Sequence, residues 1–140
     1  MAAQRQAEVV WEGSLGRGSG RLDLKSGAVS GLPVTWASRT ERSEGKTSPE
    51  ELIAAAHASC FSMALSAQLG ERGITPEAIE TASTITFENL TLTKSLLKST
   101  VRARGADKAK VEEAAAAAKA GCPISKVLKL DIELELTVTS

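Results

Sequence analysis

Aromatic residues are scarce in this chain of 140 residues, which contains two Trp, two Phe and no Tyr. The core must therefore be built mainly from aliphatic side chains and alanine, which suits closely packed helices. The chain also has no excess of charge of either sign, since seventeen basic and seventeen acidic residues give a formal net charge of +0. This balance argues against a nucleic-acid footprint and against a polybasic membrane patch. The length predicts a single domain over residues 1–140.

Cysteine is equally rare, with Cys60 and Cys122 as the two examples. The first eight residues are polar and carry no signal-peptide pattern, so we expect a cytoplasmic protein. In a cytoplasmic protein, two cysteines are more typical of a reactive or redox pair than of a static disulfide. Each cysteine could instead have a purely structural role. Cys60 could pack as a small buried hydrophobic residue, and Cys122 could be a residue that ends a helix.

A long helix is predicted from residue 49 to the region of Gly70. Ser48 suits the N-cap, Pro49 suits the first helical position, and Glu51 lies where a capping box requires a carboxylate. Residues 52–69 contain no charged side chain, which predicts a helix that is buried nearly all round. We favour a core helix over a membrane span because Ala, Ser, His and Gln are frequent in it.

The rest of the chain alternates between extended segments and helices. Strands are predicted at residues 8–13, 21–25, 32–36, 80–88, 92–104 and 130–138. A second helix is predicted from 106 to 120, with Asp107 as its N-cap and Gly121 at C′, and a short helix restarts at Pro123. This order predicts an α+β fold with antiparallel sheets, and the excess of apolar helix predicts a dimer that packs helices together.

The two cysteines differ in their predicted surroundings. Cys122 lies at the N-terminal edge of the short helix, where exposed N–H groups favour a thiolate. Cys60 lies in the middle of the long helix and therefore needs a cation in order to ionise. A charged loop over residues 37–46 supplies Arg39 and Arg42, and Arg17 is a third candidate. A thiolate paired with arginine and a second thiol within reach form a two-cysteine redox centre.

Glu50 and His57 are the other candidates on the long helix. Glu50 is not needed for the cap, but ten residues of straight helix separate it from Cys60 by about 15 Å. We therefore hypothesise that Glu50 reaches Cys60 of the partner subunit. His57 could act as a base one turn from Cys60, although a buried histidine is more often hydrogen-bonded in the core. A metal site formed by His57, Cys60 and Cys122 is a weak alternative because no paired ligand motif is present.

Two blocks of sequence resemble the OsmC/Ohr family. They are TSPEELIAAAHASCFSMAL at residues 47–65 and AKAGCPISKVL at residues 118–128. The Ala-Ala-His-Ala form of the first block, together with Trp11-Glu-Gly, is closer to the OsmC type than to the Ohr type. The resemblance implies an intertwined homodimer in which two antiparallel sheets wrap around long central helices. It also implies active sites at the dimer interface.

By this resemblance the chain is a thiol peroxidase that reduces organic hydroperoxides, and hydrogen peroxide less readily. Cys60 matches the peroxidatic cysteine, Cys122 the resolving cysteine, and Glu50 a carboxylate that pairs with an active-site arginine. Arg39 is the preferred arginine, with Arg17 and Arg42 as competitors. The family implies a dithiol donor of the lipoylated-protein class and requires no metal, haem or flavin.

Substrate preference and rival functions complete the expectations. An apolar pocket around Cys60 would favour organic peroxides, and Ile53, Phe61 and Met63 are candidates to line it. The enzymatic rival is a thiol-dependent hydrolase that uses Cys60 with His57. The rival from another class is a binding dimer with buried, inert cysteines.

Overall fold

The computed structural model describes residues 2–139, which form six strands and four helices. In chain order they are β1 (Ala7–Glu12), β2 (Ser19–Leu24), β3 (Leu32–Val34), α1 (Trp36–Thr40), α2 (Pro49–Glu71), β4 (Ala78–Glu88), β5 (Thr91–Arg102), α3 (Lys108–Gly121), α4 (Pro123–Val127) and β6 (Asp131–Thr139). This content confirms the predicted α+β class. The described chain divides into two compact units, residues 2–52 (unit 1) and residues 53–139 (unit 2).

Unit 1 contains an antiparallel sheet in the order β1-β2-β3, so the predicted hairpin is confirmed. The prediction of a strand to residue 36 and a loop over 37–46 was wrong at residues 36–40, which form α1. The cause is a capping box. The Thr35 hydroxyl accepts the Ser38 N–H at 3.0 Å, and the Ser38 hydroxyl accepts the Thr35 N–H at 2.9 Å. Arg39 therefore lies on a helix, whereas Arg42 lies in the loop that follows.

The long helix α2 begins as predicted. The Ser48 hydroxyl accepts the Glu51 N–H at 3.1 Å, and Pro49 occupies the first helical position. The Glu51 carboxylate accepts a hydrogen bond from the Thr47 hydroxyl at 2.7 Å, which ties it to the residue before the cap.

Burial along α2 follows one stripe rather than the whole circumference. The fully buried residues His57, Phe61, Leu65 and Leu69 recur every four positions, as one face of a helix requires. The prediction of burial all round was wrong for the single chain, in which the Met63 side chain is 73% exposed. By length and composition α2 could cross a membrane. Its buried stripe packs into the core of unit 2, which makes it a core helix.

Unit 2 contains a mixed sheet in the order β4-β5-β6. β4 and β5 are antiparallel, as predicted, and positive φ at both Asn89 and Leu90 makes the tight turn that joins them. The expectation of purely antiparallel sheets was wrong for β6, which runs parallel to β5. The chain reaches β6 through α3 and α4, and a crossover of this kind is what a parallel pair needs.

The core of unit 2 lies between this sheet and the helices. Its buried members are aliphatic or alanine apart from one phenylalanine, as the composition predicts: Phe61, Leu65, Leu69, Leu97, Val101, Ala103, Val111, Ala114, Ala115 and Ala118. Asp107 caps α3 as predicted, since its carboxylate accepts the Ala109 N–H at 3.0 Å.

The junction of α3 and α4 places the second cysteine. Gly121 is the last residue of α3, not the C′ residue that we expected. Cys122 takes the capping role at both sides: its N–H donates to the Ala118 carbonyl at 2.9 Å, and it is also the N-cap of α4. Pro123 then begins α4, because a missing N–H costs nothing in the first turn.

Candidate active site

Cys60 and Cys122 come together in unit 2. Both are free thiols, Cys60 half-buried on α2 and Cys122 fully buried before α4. The two thiols are near enough that each shifts the pKa of the other, and the backbone of Ile124 lowers the pKa of both. The N-terminal end of α4 therefore lies beside a pair of neighbouring thiols.

The surroundings of the two sulfurs shift the pKa values of the two thiols in opposite directions. Burial raises the pKa of the Cys122 thiol, but the hydrogen bonds from Cys60, Ser125 and Ile124 outweigh burial, so that this pKa lies below its ordinary value of 9.0. Burial raises the pKa of the Cys60 thiol, and its hydrogen bond to Cys122 raises it further. Within unit 2, negative charge is therefore more stable on Cys122 than on Cys60.

His57 lies one turn before Cys60 but is fully buried and bonded at both nitrogens. Its Nδ1 lies 2.7 Å from the Ser95 hydroxyl on β5, and its Nε2 lies 2.8 Å from the Ser125 hydroxyl on α4. Burial lowers the pKa of His57 below 6.5, so the ring is neutral at physiological pH. A ring held by two serines fits the hydrogen-bonded core alternative and offers no free nitrogen to a hydrolase mechanism.

Arg39 and Glu50 form an ion pair inside unit 1. The Arg39 Nε lies 2.6 Å from one carboxylate oxygen of Glu50 and 3.2 Å from the other. Glu50 is only 7% exposed, and a carboxylate at this depth requires a charged partner. The guanidinium also lies over the Trp36 ring, 5.8 Å from its centroid, which fixes its plane. The site therefore holds an arginine whose guanidinium is oriented by Glu50 and Trp36.

An apolar cavity of about 380 Å³ lies beside this arginine, entirely within unit 1. Its lining is almost wholly hydrophobic apart from Arg39 and Thr35, and it includes Val9, Trp11, Leu15, Leu22, Val34, Trp36, Pro49 and Leu52. The side chains that we expected to line a pocket around Cys60, namely Ile53, Phe61 and Met63, do not line this cavity, and Ile53 is half-buried. Phe61 is buried in the core of unit 2, and Met63 is largely exposed.

The other two candidate arginines have exposed side chains in surface segments. Arg17 lies in the turn after β1, where its backbone N–H donates to the Ser14 hydroxyl at 3.3 Å. Arg42 lies in the loop after α1. In residues 2–139 no group of three or more His, Cys, Asp or Glu side chains could hold a metal ion.

Several residues that shape the site were not singled out from the sequence. Ser95 and Ser125 carry the contacts of His57, and Trp11 and Trp36 line the cavity. Ser95 had a faint signal, because it shares the buried face of β5 with Leu97 and Val101 in strict alternation. The role of Trp36 depended on recognising α1, which the sequence analysis missed.

Comparison with known proteins gives a consistent result. Residues 42–137 match the family model described as OsmC-like protein. Peroxiredoxin OsmC of Escherichia coli K12 is 41% identical over 144 residues and is covered completely, as is this chain. Peroxiredoxin OsmC of Shigella flexneri matches with the same identity and coverage.

Solved structures agree on the fold. An OsmC-like protein from Mycoplasma pneumoniae superimposes with a TM-score of 0.76 at 13% identity, with both chains fully covered. The organic hydroperoxide resistance protein OhrB of Bacillus subtilis superimposes with a TM-score of 0.65 at 23% identity, over 96% of this chain and 98% of that one. The full-length identity and the family match together establish that this chain belongs to the OsmC-like family.

Proposed function

We propose that this protein is a cysteine-based peroxidase that reduces organic hydroperoxides to alcohols, and hydrogen peroxide less readily. The observation that carries the proposal is the pair of neighbouring free thiols, one half-buried and one buried, each of which shifts the pKa of the other. The full-length similarity to Peroxiredoxin OsmC supports the same reaction. Two free thiols also fit a reducing compartment, and we propose the cytoplasm.

The first half-reaction takes place at Cys60. Its thiolate attacks the distal oxygen of the hydroperoxide, so that an S–O bond forms as the O–O bond breaks. The alkoxide leaves, takes up a proton and departs as the alcohol. Cys60 is then a sulfenic acid. A cationic guanidinium beside the peroxide stabilises both the attacking thiolate and the developing alkoxide.

The second half-reaction uses Cys122. Its thiolate attacks the sulfur of the Cys60 sulfenic acid, which forms the Cys60–Cys122 disulfide and releases hydroxide that is protonated to water. The lowered pKa of Cys122 supports this step, because it enlarges the thiolate fraction at neutral pH. An external dithiol, which we propose to be a lipoylated protein, then reduces the disulfide and is itself oxidised to a disulfide.

Arg39 and Glu50 supply the cation in this proposal. Because the structure of unit 2 disfavours charge on Cys60, the thiolate needs a positive partner. Glu50 and Cys60 lie ten residues apart on α2, about 15 Å along a straight helix and on different faces. We therefore propose a homodimer in which the Arg39–Glu50 pair of one protomer serves Cys60 of the partner subunit. The exposed apolar residues of α2 and β1, such as Met63 and Val10, support such an interface.

The apolar cavity beside Arg39 supports the preference for organic substrates. An alkyl or aryl hydroperoxide can place its hydrocarbon part against Trp11 and Trp36 while its peroxide oxygens face the guanidinium. Hydrogen peroxide has no such group, so it gains nothing from the cavity. A difference in kcat/KM between the two substrates follows from this arrangement.

The test is the consumption of cumene hydroperoxide with dithiothreitol as reductant. Wild type should turn over, and Cys60→Ser should be inactive. Cys122→Ser should complete one turnover and then stop, or its Cys60 should over-oxidise, because the Cys60 sulfenic acid has no intramolecular thiol with which to condense. Ser59→Ala is the matched control, since this neighbouring exposed hydroxyl donates a hydrogen bond to the helix backbone at Ala55. A wild-type protein that leaves organic and hydrogen peroxides alike intact would rule out the proposal.

A further inference from the structure

A continuous line of hydrogen bonds runs from the sheet of unit 2 to Ser125, which lies on the helix that begins at the buried thiol. Ser83 on β4 lies 3.0 Å from Ser95 on β5, and Ser95 lies 2.7 Å from the Nδ1 of His57. The Nε2 of His57 lies 2.8 Å from the Ser125 hydroxyl on α4. Ser125 comes three residues after Cys122, the N-cap of that helix, and its side chain lowers the pKa of Cys122. His57 and Ser95 are fully inaccessible to solvent, so water does not substitute for any of these inner partners.

Each member of this line can donate only one hydrogen. A serine hydroxyl carries one, and a neutral imidazole carries one on either Nδ1 or Nε2. The line can therefore run in only two directions. If Ser125 donates to Cys122, it must accept from Nε2–H, so that Nδ1 accepts from Ser95 and Ser95 accepts from Ser83. If Ser125 instead donates to Nε2, its hydrogen is no longer available to the Cys122 sulfur.

We propose that His57 is a positioning residue for Cys122: as the Nε2–H tautomer, held by Ser95, it keeps the hydrogen of Ser125 directed at the Cys122 sulfur. The consequence is that a buried histidine without contact to substrate controls how readily the second thiol ionises. The lowered pKa of Cys122, to which the Ser125 hydrogen bond contributes, agrees with this direction. The inference rests on the proposed function only for its use in disulfide formation, because ionisation of Cys122 can be measured without peroxide.

The charged residues near this line of hydrogen bonds do not explain the lowered pKa of Cys122. Lys94 and Lys98 lie on the face of β5 opposite to Ser95, where they form ion pairs with Glu133 and Glu135 of β6. Lys126 on α4 is exposed, and Lys119 in the last turn of α3 is half-buried. The titratable group in contact with Cys122 is Cys60, and it is removed by substitution in the test below.

The first test is the tautomer of His57 by NMR. The chain contains one histidine, so protein labelled with ¹⁵N-histidine gives one pair of ring signals. In the reduced wild type at pH 8, where burial keeps the ring neutral, we expect the proton on Nε2. A proton on Nδ1 overturns the proposal. This measurement needs no variant and no activity.

The second test is the ionisation of Cys122 in a Cys60→Ser background, followed by thiolate absorbance at about 240 nm across pH. Ser125→Ala and His57→Leu should each raise the pKa of Cys122 by about one pH unit, the size expected for one hydrogen bond to a charged sulfur. His57→Gln should restore most of the shift, because its amide N–H can replace Nε2–H toward Ser125.

The matched control is Ser99→Ala. Ser99 is a buried serine on the same face of β5, but its hydroxyl bonds to Thr81 in a separate cluster. It should leave the pKa of Cys122 unchanged. If the pKa of Cys122 in the Ser125→Ala variant equals that in the parent protein, the proposal is refuted even when peroxidase activity is intact. If peroxidase activity is missing but these titrations shift as expected, the proposed function fails and the positioning role stands.

Discussion

Replacement of Arg39 by lysine keeps the positive charge but removes the geometry of the site. The Arg39 Nε is the atom that approaches both oxygens of Glu50, at 2.6 and 3.2 Å, and lysine has no donor at that position. The flat guanidinium over Trp36 is lost as well. We therefore expect Arg39→Lys to impair catalysis although the formal charge is unchanged.

The size of the effect follows from the contacts. A hydrogen bond to a charged group contributes about 1.5–3 kcal/mol, and the Arg39 side chain is 30% exposed, which favours the lower end of that range. A loss of about 1.5 kcal/mol in the transition state corresponds to roughly a tenfold decrease in kcat/KM. The assay is cumene hydroperoxide reduction with dithiothreitol, with circular dichroism to verify that each variant is folded.

Arg42→Lys and Arg17→Lys are the matched controls, because both side chains are exposed and lie in surface segments. Each should retain kcat/KM within about twofold of wild type, as surface substitutions usually have small effects. A wild-type kcat/KM for Arg39→Lys, or an equal loss in Arg42→Lys or Arg17→Lys, would refute the assignment of Arg39 as the active-site arginine.

Three further predictions concern stability and specificity. Burial lowers the pKa of His57 below 6.5, so protonation of this ring favours the unfolded chain. The contribution of neutral His57 to the free energy of unfolding is therefore complete above pH 6.5. It decreases as the pH falls below 6.5, by at most about 1.4 kcal/mol per pH unit. Urea unfolding at fixed protein concentration should show this slope between pH 6.5 and about 5.5 in wild type but not in His57→Gln, and equal slopes would contradict it. Leu97→Ala, at a fully buried position, should lower the free energy of unfolding by about 2–5 kcal/mol, and a loss below about 1 kcal/mol would mean that the core is not packed as described. Trp11→Ala should raise KM for cumene hydroperoxide while leaving that for hydrogen peroxide nearly unchanged, and a parallel change for both substrates would argue against binding of the hydrocarbon in the cavity.

Local signals in the sequence predicted most of the elements. Ser48 and Pro49 marked the start of α2, Asp107 marked the cap of α3, and alternation marked β4 to β6. The element that was missed, α1, is only five residues long and begins with a capping box of Thr35 and Ser38, which is a weaker signal than one containing glutamate. Nearby charged residues made the same segment resemble a loop.

Non-local features were beyond the reach of sequence patterns. The parallel pairing of β6 depends on which edge of β5 is free after the crossover, and alternation within β6 is the same for either direction. The partial burial of α2 is also non-local, because its composition is apolar on every face whereas one chain covers only one of them. His57 was correctly weighed as a core histidine, but its two serine partners lie 38 and 68 residues away along the chain.

The opposite pKa directions of the two cysteines support the different tasks that we propose for them. A resolving thiol reacts as a thiolate when the sulfenic acid appears, and the surroundings of Cys122, which lower its pKa, favour that form. The surroundings of Cys60, the proposed peroxidatic cysteine, raise its pKa, and in our proposal the Arg39 guanidinium of the partner subunit offsets this effect. During reduction the same asymmetry acts again. A dithiol that attacks the half-buried sulfur of Cys60 expels Cys122, which is both the more stable thiolate and the less accessible sulfur. The polar line through His57 thus favours closing the disulfide and, with the help of the donor, opening it at the Cys60 side.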